Sequence, residues 1–235
     1  MKKLGLVGGL GPMSTLDYYK GINELYREKA ETLSIAGANP PMFIDSLNLA
    51  VAYDMVERKD WDNLAGWLTE SICVLHEAGA QFAAIAANTA HIVFDKVQAN
   101  SPIPVVGMID EVCKFANERG LKKLIVFGTG FTMESGMYEK VCETYGIEAI
   151  VPNREDQHTI HHIIFPNLEA GIILADQKKT MLDIARKLLT KHEAGSLVLG
   201  CTELPLIIKE GDLDTVLIDT TRVHIEAIVS RILSQ

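Results

Sequence analysis

Three short stretches hold the residue types that do chemistry. The first is Gly200-Cys201-Thr202-Glu203, a thiol, a hydroxyl and a carboxylate in succession. The apolar run Ser196-Leu197-Val198-Leu199 before it reads as a buried strand, so Cys201 is expected to close a strand and open a helix. A thiol at a helix N-terminus feels the positive end of the macrodipole, which lowers its pKa and raises its thiolate fraction. Such a thiolate is suited to taking and returning a proton. The second stretch is Ala86-Ala87-Asn88-Thr89-Ala90-His91. Asn88 and Thr89 follow an apolar strand and can hold a carboxylate, or equally cap a helix. His91 reads first as a satisfied structural histidine. The third is the loop Gly8-Gly9-Leu10-Gly11-Pro12-Met13-Ser14-Thr15, between a strand and a helix, where backbone N–H groups can cradle an anion. It lacks the Gly-Lys-Ser/Thr of a P-loop. Ser14 stands where a dinucleotide fingerprint needs its third glycine, although Asp45 fits the place of the ribose acid. A tight turn that simply requires glycine is the competing reading.

Short apolar runs alternating with helical patterns position these stretches. Strands are expected at Leu4–Val7, Met42–Ile44, Phe82–Ala87, 102–107, Leu124–Phe127, Glu148–Val151, Ser196–Leu199 and Val216–Ile218. Helices are expected over 14–32, 60–78, from about Met133, over 174–192 and over 221–233. This alternation is that of an α/β protein with parallel sheets. The halves echo each other. Gly8–Thr15 with Tyr18 resembles Gly128-Thr129-Gly130-Phe131-Thr132-Met133 with Tyr138, and Ala86–Thr89 resembles Gly200–Glu203. A duplicated lobe explains this economically. The expected division is an N-terminal α/β lobe over 1–112, a C-terminal α/β lobe over 113–220, and a closing segment 221–235 returning to the first lobe. Ligands of open α/β sheets bind beyond the carboxyl ends of the strands, so two facing lobes would bring both loops to one cleft.

Composition narrows the function classes. A chain of 235 residues, 48% hydrophobic, is long enough for a well-buried core. A net charge of −9 and a pI of about 5.3 leave no basic footprint for nucleic acid. No apolar run is long enough to span a bilayer. The run behind Met1-Lys2-Lys3 stops at Gly8-Gly9, too early for a signal peptide. Cys73, Cys113, Cys142 and Cys201 form no C-x-x-C pair and fit neither a zinc site nor a disulfide framework. Reduced thiols in a cytoplasmic protein are expected, with the first three buried and inert.

Taken together, these stretches resemble the aspartate/glutamate racemase superfamily, its aspartate branch in particular. The residues are Leu4–Gly9, Ser14-Thr15 with Tyr18-Tyr19, Asn88-Thr89-Ala90-His91, Gly200-Cys201-Thr202-Glu203 and Asp219-Thr220-Thr221. The resemblance implies two pseudo-symmetric α/β lobes with the active site in the cleft between them, no pyridoxal phosphate, no metal, and a homodimer. It implies that Cys201 is catalytic. It also implies that Leu10, Ser14, Thr15, Asn88, Thr89, Ala90, Thr129, Thr132, Thr202 and Glu203 line the site for a small amino or dicarboxylic acid. Inversion needs an acid and a base on opposite faces of the α-carbon, and the family supplies two cysteines. Here Ala87 occupies the position of the first. The segment 157–162, where acid-specific members carry a cation, reads Gln157-His158-Thr159-Ile160-His161-His162, leaving Arg58 as the candidate cation. The sequence therefore points to a single-cysteine racemase of aspartate, with glutamate as a close alternative. Water or His91 would serve the second face. The competing readings are a single-cysteine decarboxylase or isomerase, and a catalytically impaired variant that binds a small acid.

Overall fold

The computed structural model describes residues 1–32 and 39–234. Contacts divide the chain into two compact units, Met1–Gly107 with His224–Gln235, and Met108–Val223.

In the first unit, β1 (Leu4–Gly8) leads into α1 (Pro12–Thr32), β2 (Met42–Ser46), α2 (Leu49–Glu57) and α3 (Trp61–Glu77). β3 (Phe82–Ile85), a 3-10 turn (Thr89–Val93), α4 (Phe94–Asn100) and β4 (Val105–Val106) follow. The sheet is parallel, in the order β2-β1-β3-β4. β1 and β3 are buried along their whole lengths, as central strands of a parallel sheet covered on both faces must be. Their apolar residues pack with Leu64, Leu68, Ile72 and Leu75 of α3.

The second unit repeats that plan. It contains α5 (Met108–Glu118), β5 (Lys123–Gly128), α6 (Gly130–Glu134), α7 (Met137–Thr144), β6 (Glu148–Ile150) and α8 (Arg154–His162). A π-helical turn (Ile163–Asn167), a 3-10 turn (Leu168–Ala170), α9 (Ala175–His192), β7 (Ser196–Gly200), α10 (Leu204–Ile207) and β8 (Val216–Asp219) complete it. The strand order, β6-β5-β7-β8, is that of the first unit, again all parallel. α11 (Thr220–Leu233) begins in the second unit and runs on into the first.

The α/β class with two parallel sheets is therefore as the sequence reading has it, and several boundaries differ. α1 starts at Pro12 rather than 14, because proline suits the first helical turn, where its missing N–H costs nothing. The strand read at 102–107 shrinks to two residues, since Pro102 and Pro104 cannot donate to a ladder. α2, α4, α5 and α8 are additions. α2, α4 and α8 each have at most two buried residues, so no apolar period marks them. α5 buries Met108, Ile109, Val112, Cys113 and Ala116, and lies across the boundary expected between the lobes at 112 and 113. Among the described residues no helix is long and apolar enough to cross a membrane.

Candidate active site

In the first unit the glycine loop is braced from within. Gly9 has φ +80, and a Cβ there would lie 2.1 Å from the Leu47 carbonyl oxygen. The Gly9 N–H donates to Thr15 Oγ1 at 2.8 Å, and the Thr15 hydroxyl donates to the Gly11 carbonyl at 3.2 Å. Thr15, read as a substrate contact, is thus committed as donor and acceptor to the loop. With the Gly9 N–H taken and Leu47 against the glycine, the loop does not offer a pyrophosphate cradle. Ser14 is buried and donates to the Ala86 carbonyl at 2.8 Å, tying the loop to the end of β3. Leu10 packs on the unit's core beside the loop.

The chain leaves β3 through Ala86 and Ala87. Asn88 is helical (φ −67, ψ −51) and makes no capping bond to the 3-10 turn, so the cap reading fails. Asn88 and Thr89 are both half-buried, while Ala90 belongs to the core. His91 is a core histidine. Its Nδ1–H donates to the Ala87 carbonyl at 2.9 Å, and its ring stacks on Phe94 and meets His224 edge-on. That placement suits a structural strut and not a second acid/base. Asp45, the candidate ribose acid, accepts from the Ser71 hydroxyl at 2.7 Å. Arg58 follows α2, exposed and paired with Asp54.

In the second unit the equivalent loop leaves β5 at Gly128. Thr129 caps α6 by accepting from the Thr132 N–H at 3.3 Å. Thr132 is buried, its methyl against Gly128, where a Cβ would lie 2.7 Å from it. In the first unit Thr15 stands against Gly8 in the same way, at 2.6 Å. The echo seen between the two stretches is therefore a repeated packing device, a glycine ending a strand beneath a threonine of the next helix.

β7 ends at Gly200, paired in register with Gly128. Cys201, Thr202 and Glu203 form a half-buried turn, and α10 starts only at Leu204 and has four residues. Cys201 therefore does not open a helix, and no macrodipole of any length bears on it. The expected acidic thiol is corrected on that ground. Its Sγ–H donates to Glu203 Oε2 at 2.8 Å. Burial, then the Glu203 carboxylate, then Glu169 push the thiol pKa well above its ordinary value. Glu169, on the 3-10 turn that packs against α10, is pushed up by burial and by Glu203. Asp219 is also pushed up by burial, partly offset as its Oδ1 accepts from the N–H groups of Thr221 and Arg222.

Two residues the sequence reading missed belong to this description. Glu169 was invisible because only the fold brings its turn to α10. His161 lies in a segment read only for its lack of lysine and arginine, yet its ring holds the loop after β5, with Nδ1 accepting from the Gly130 N–H at 3.3 Å. Among the described residues no group of three or more His, Cys, Asp or Glu is arranged to hold a metal ion.

The second-unit arrangement can pass one proton. The thiol gives it to the Glu203 carboxylate and becomes a thiolate, or the protonated thiol delivers it to a carbanion. In the first unit, Ala87 just beyond β3 carries only a methyl group.

Several known proteins are similar to this chain. The broad specificity amino-acid racemase RacX of Bacillus subtilis (strain 168) is 28% identical over 147 residues, 63% of this chain and 63% of that protein. The glutamate racemase of Aquifex pyrophilus is 26% identical over 162 residues, 66% of this chain and 61% of its own. The chain thus spans less than two thirds of the length of these curated relatives. Among solved structures, an aspartate racemase homologue from Pyrococcus horikoshii OT3 is 34% identical with a TM-score of 0.86, covering 100% of both chains. A Yersinia pestis structure assigned to the Asp/Glu racemases has a TM-score of 0.93 at 28% identity, again over 100% of both. The family model Asp/Glu/Hydantoin racemase matches residues 7–228. With a cysteine–glutamate pair at the end of β7 and the braced glycine loop after β1 as its local marks, the chain belongs to the Asp/Glu/Hydantoin racemase family.

Proposed function

We propose that the protein is a cofactor-independent amino-acid racemase that exchanges the α-proton of its substrate through Cys201. The observation that carries this reading is the Cys201 thiol hydrogen-bonded to Glu203 Oε2 at 2.8 Å, a proton donor and its base at the end of a central strand. Glu203 takes the thiol proton and the thiolate then removes the α-proton. Thr202, next to Cys201 in the same turn, is a group to stabilise the carboxylate of the resulting carbanion by a hydrogen bond. Aspartate, then glutamate, head the panel of substrates, on the resemblance to the aspartate branch. With Ala87 in place of a second thiol, water serves the other face, and the loss of one acid/base group costs about 10²–10⁴-fold in rate.

A second reading is favoured by the protonation of the same thiol. Burial and two carboxylates hold Cys201 as the neutral thiol, which is the form a decarboxylase needs to protonate its carbanion. Decarboxylation generates that carbanion without a base, so Ala87 would be no handicap.

Proton NMR of L- and D-aspartate and glutamate in D₂O, followed by chiral analysis, separates these readings. The racemase reading expects loss of the α-proton signal with growth of the opposite enantiomer, both abolished in Cys201→Ala. No exchange with any of these four amino acids, together with CO₂ release from a substituted malonate, would establish the decarboxylase. Binding without either reaction would leave an inactive acid-binding protein.

A further inference from the structure

His161 is held more tightly than a surface histidine on a polar helix needs to be. The Gly130 N–H donates to its Nδ1 at 3.3 Å, and the ring stacks on Phe165, 9° from parallel. His162 meets it edge-on at 5.7 Å. Since Nδ1 accepts from a backbone N–H, the neutral ring must carry its proton on Nε2. That donor has no partner of its own among the described residues. Its place is also specific. Gly128 pairs in register with Gly200, so Gly130 and Cys201 leave the same edge of the sheet from adjacent strands. The ring bonded to Gly130 stands at that edge.

We propose that His161, fixed as the Nε2–H tautomer, is a specificity-determining residue that donates a neutral hydrogen bond to the substrate's side chain. The inference rests on the amino-acid racemase reading. It sets a preference at neutral pH for side chains ending in an uncharged acceptor, such as the amide of asparagine, over the second carboxylate of aspartate. A neutral donor meets an amide oxygen well. A buried carboxylate asks for a cation, and without one the cost of its desolvation on binding is not offset.

The surroundings keep the ring neutral. Burial lowers its pKa first, and the nearby imidazoles of His162 and His158 on α8 lower it further. Glu134 on α6 acts in the opposite direction. The π-helical turn contributes only uncharged side chains. Protonation would also break the Gly130 bond, because an imidazolium has no acceptor. Below that lowered pKa the ring becomes a cation, and the preference moves toward aspartate.

The test compares α-proton exchange of asparagine and aspartate by wild type, His161→Lys and His161→Gln at neutral and at mildly acidic pH. Wild type and His161→Gln, which keeps a neutral donor, should favour asparagine at neutral pH. His161→Lys should turn the ratio of kcat/KM toward aspartate by about tenfold or more, chiefly through KM. Equal ratios in all three proteins would overturn the proposal. Nitrogen-15 NMR of the ring provides a readout that needs no turnover. Nε2 protonated and Nδ1 bare at pH 7 is expected, and the opposite tautomer or an imidazolium would overturn it. If wild type exchanges none of asparagine, aspartate and glutamate, the racemase reading fails. Titration with asparagine and with aspartate then decides the proposal alone, a larger shift of His161 Nε2 with asparagine supporting it and no such difference ending it.

Discussion

Cys201 keeps its proton because burial, Glu203 and Glu169 all disfavour a thiolate, and the first two weigh most. The thiol form therefore dominates through neutral pH and the thiolate appears only in the alkaline range. Glu203 has two opposed effects here. Its charge makes the thiol less acidic, while its oxygen is the base that accepts the thiol's proton. Glu203→Gln should accordingly move the pH profile of Cys201 alkylation by iodoacetamide to lower pH while slowing α-proton exchange by about 10²–10⁴-fold. A variant slower in both reactions would show that Glu203 only shapes the turn. The identity of this pair was legible in four consecutive residues. The thiol's acidity was not, because it depends on how many helical residues follow Cys201 and on a carboxylate from another turn. Ala87 was legible as a missing thiol, but the engagement of His91 with its own backbone could be learned only from the fold.

Strands were readable where burial on both faces imposes a continuous apolar run. β1, β3, β5 and β7 are buried along nearly their whole length and were placed to within about two residues, within the usual uncertainty of element boundaries. α8, with only Gln157 and Ile160 buried, was not seen, and the histidine it presents to Gly130 was lost with it. The glycine loop shows the same division. Its turn is legible in the glycines, but the Thr15 hydroxyl that closes it on Gly9 and Gly11 is not, because only the fold sets that geometry. The brace gives a measurable contrast between two left-handed glycines. At Gly9 an added Cβ meets Leu47 backbone atoms at 2.1 and 2.4 Å, which cannot swing aside, whereas at Gly136 (φ +72) it meets nothing within 4 Å. Gly9→Ala should lower the unfolding free energy by about 3 kcal/mol or more, and Gly136→Ala by about 1 kcal/mol from backbone strain alone. Urea midpoints of the two variants check this, and equal shifts would deny the Leu47 contact any energetic role.

For the molecule as a whole, the first unit is made from two separated stretches of chain. α11 packs on α1 at Gly21, where a Cβ would lie 2.7 Å from Ile225. The buried side chain of His224 joins α1 to the end of β4, since its Nε2–H donates to the Val106 carbonyl at 2.9 Å while Nδ1 accepts from the Tyr18 hydroxyl at 2.8 Å. Burial, reinforced by His91, pushes the His224 pKa down to about 3 from 6.5. Above pH 6.5 both folded and unfolded chains hold this histidine neutral, and it contributes no pH dependence. Between 6.5 and about 3 the unfolded chain binds a proton that the folded chain refuses, so stability falls as the pH falls, by about 1.4 kcal/mol per pH unit at most. His224→Gln can accept from Tyr18 and donate to Val106 without titrating. Its stability relative to wild type should therefore rise steadily from pH 6.5 to pH 4 in denaturant titrations, and a constant difference would remove His224 from the acid response.

The same discontinuity bears on how the protein is made. The second unit is one unbroken stretch and has all its strands once β8 has left the ribosome. The first unit, although translated first, must wait with Tyr18 and the Gly21 face of α1 incompletely covered until His224 and Ile225 emerge. Domains usually fold in the order of their synthesis. In this chain the order of completion is reversed, and the first unit is the one in need of protection while translation is still under way.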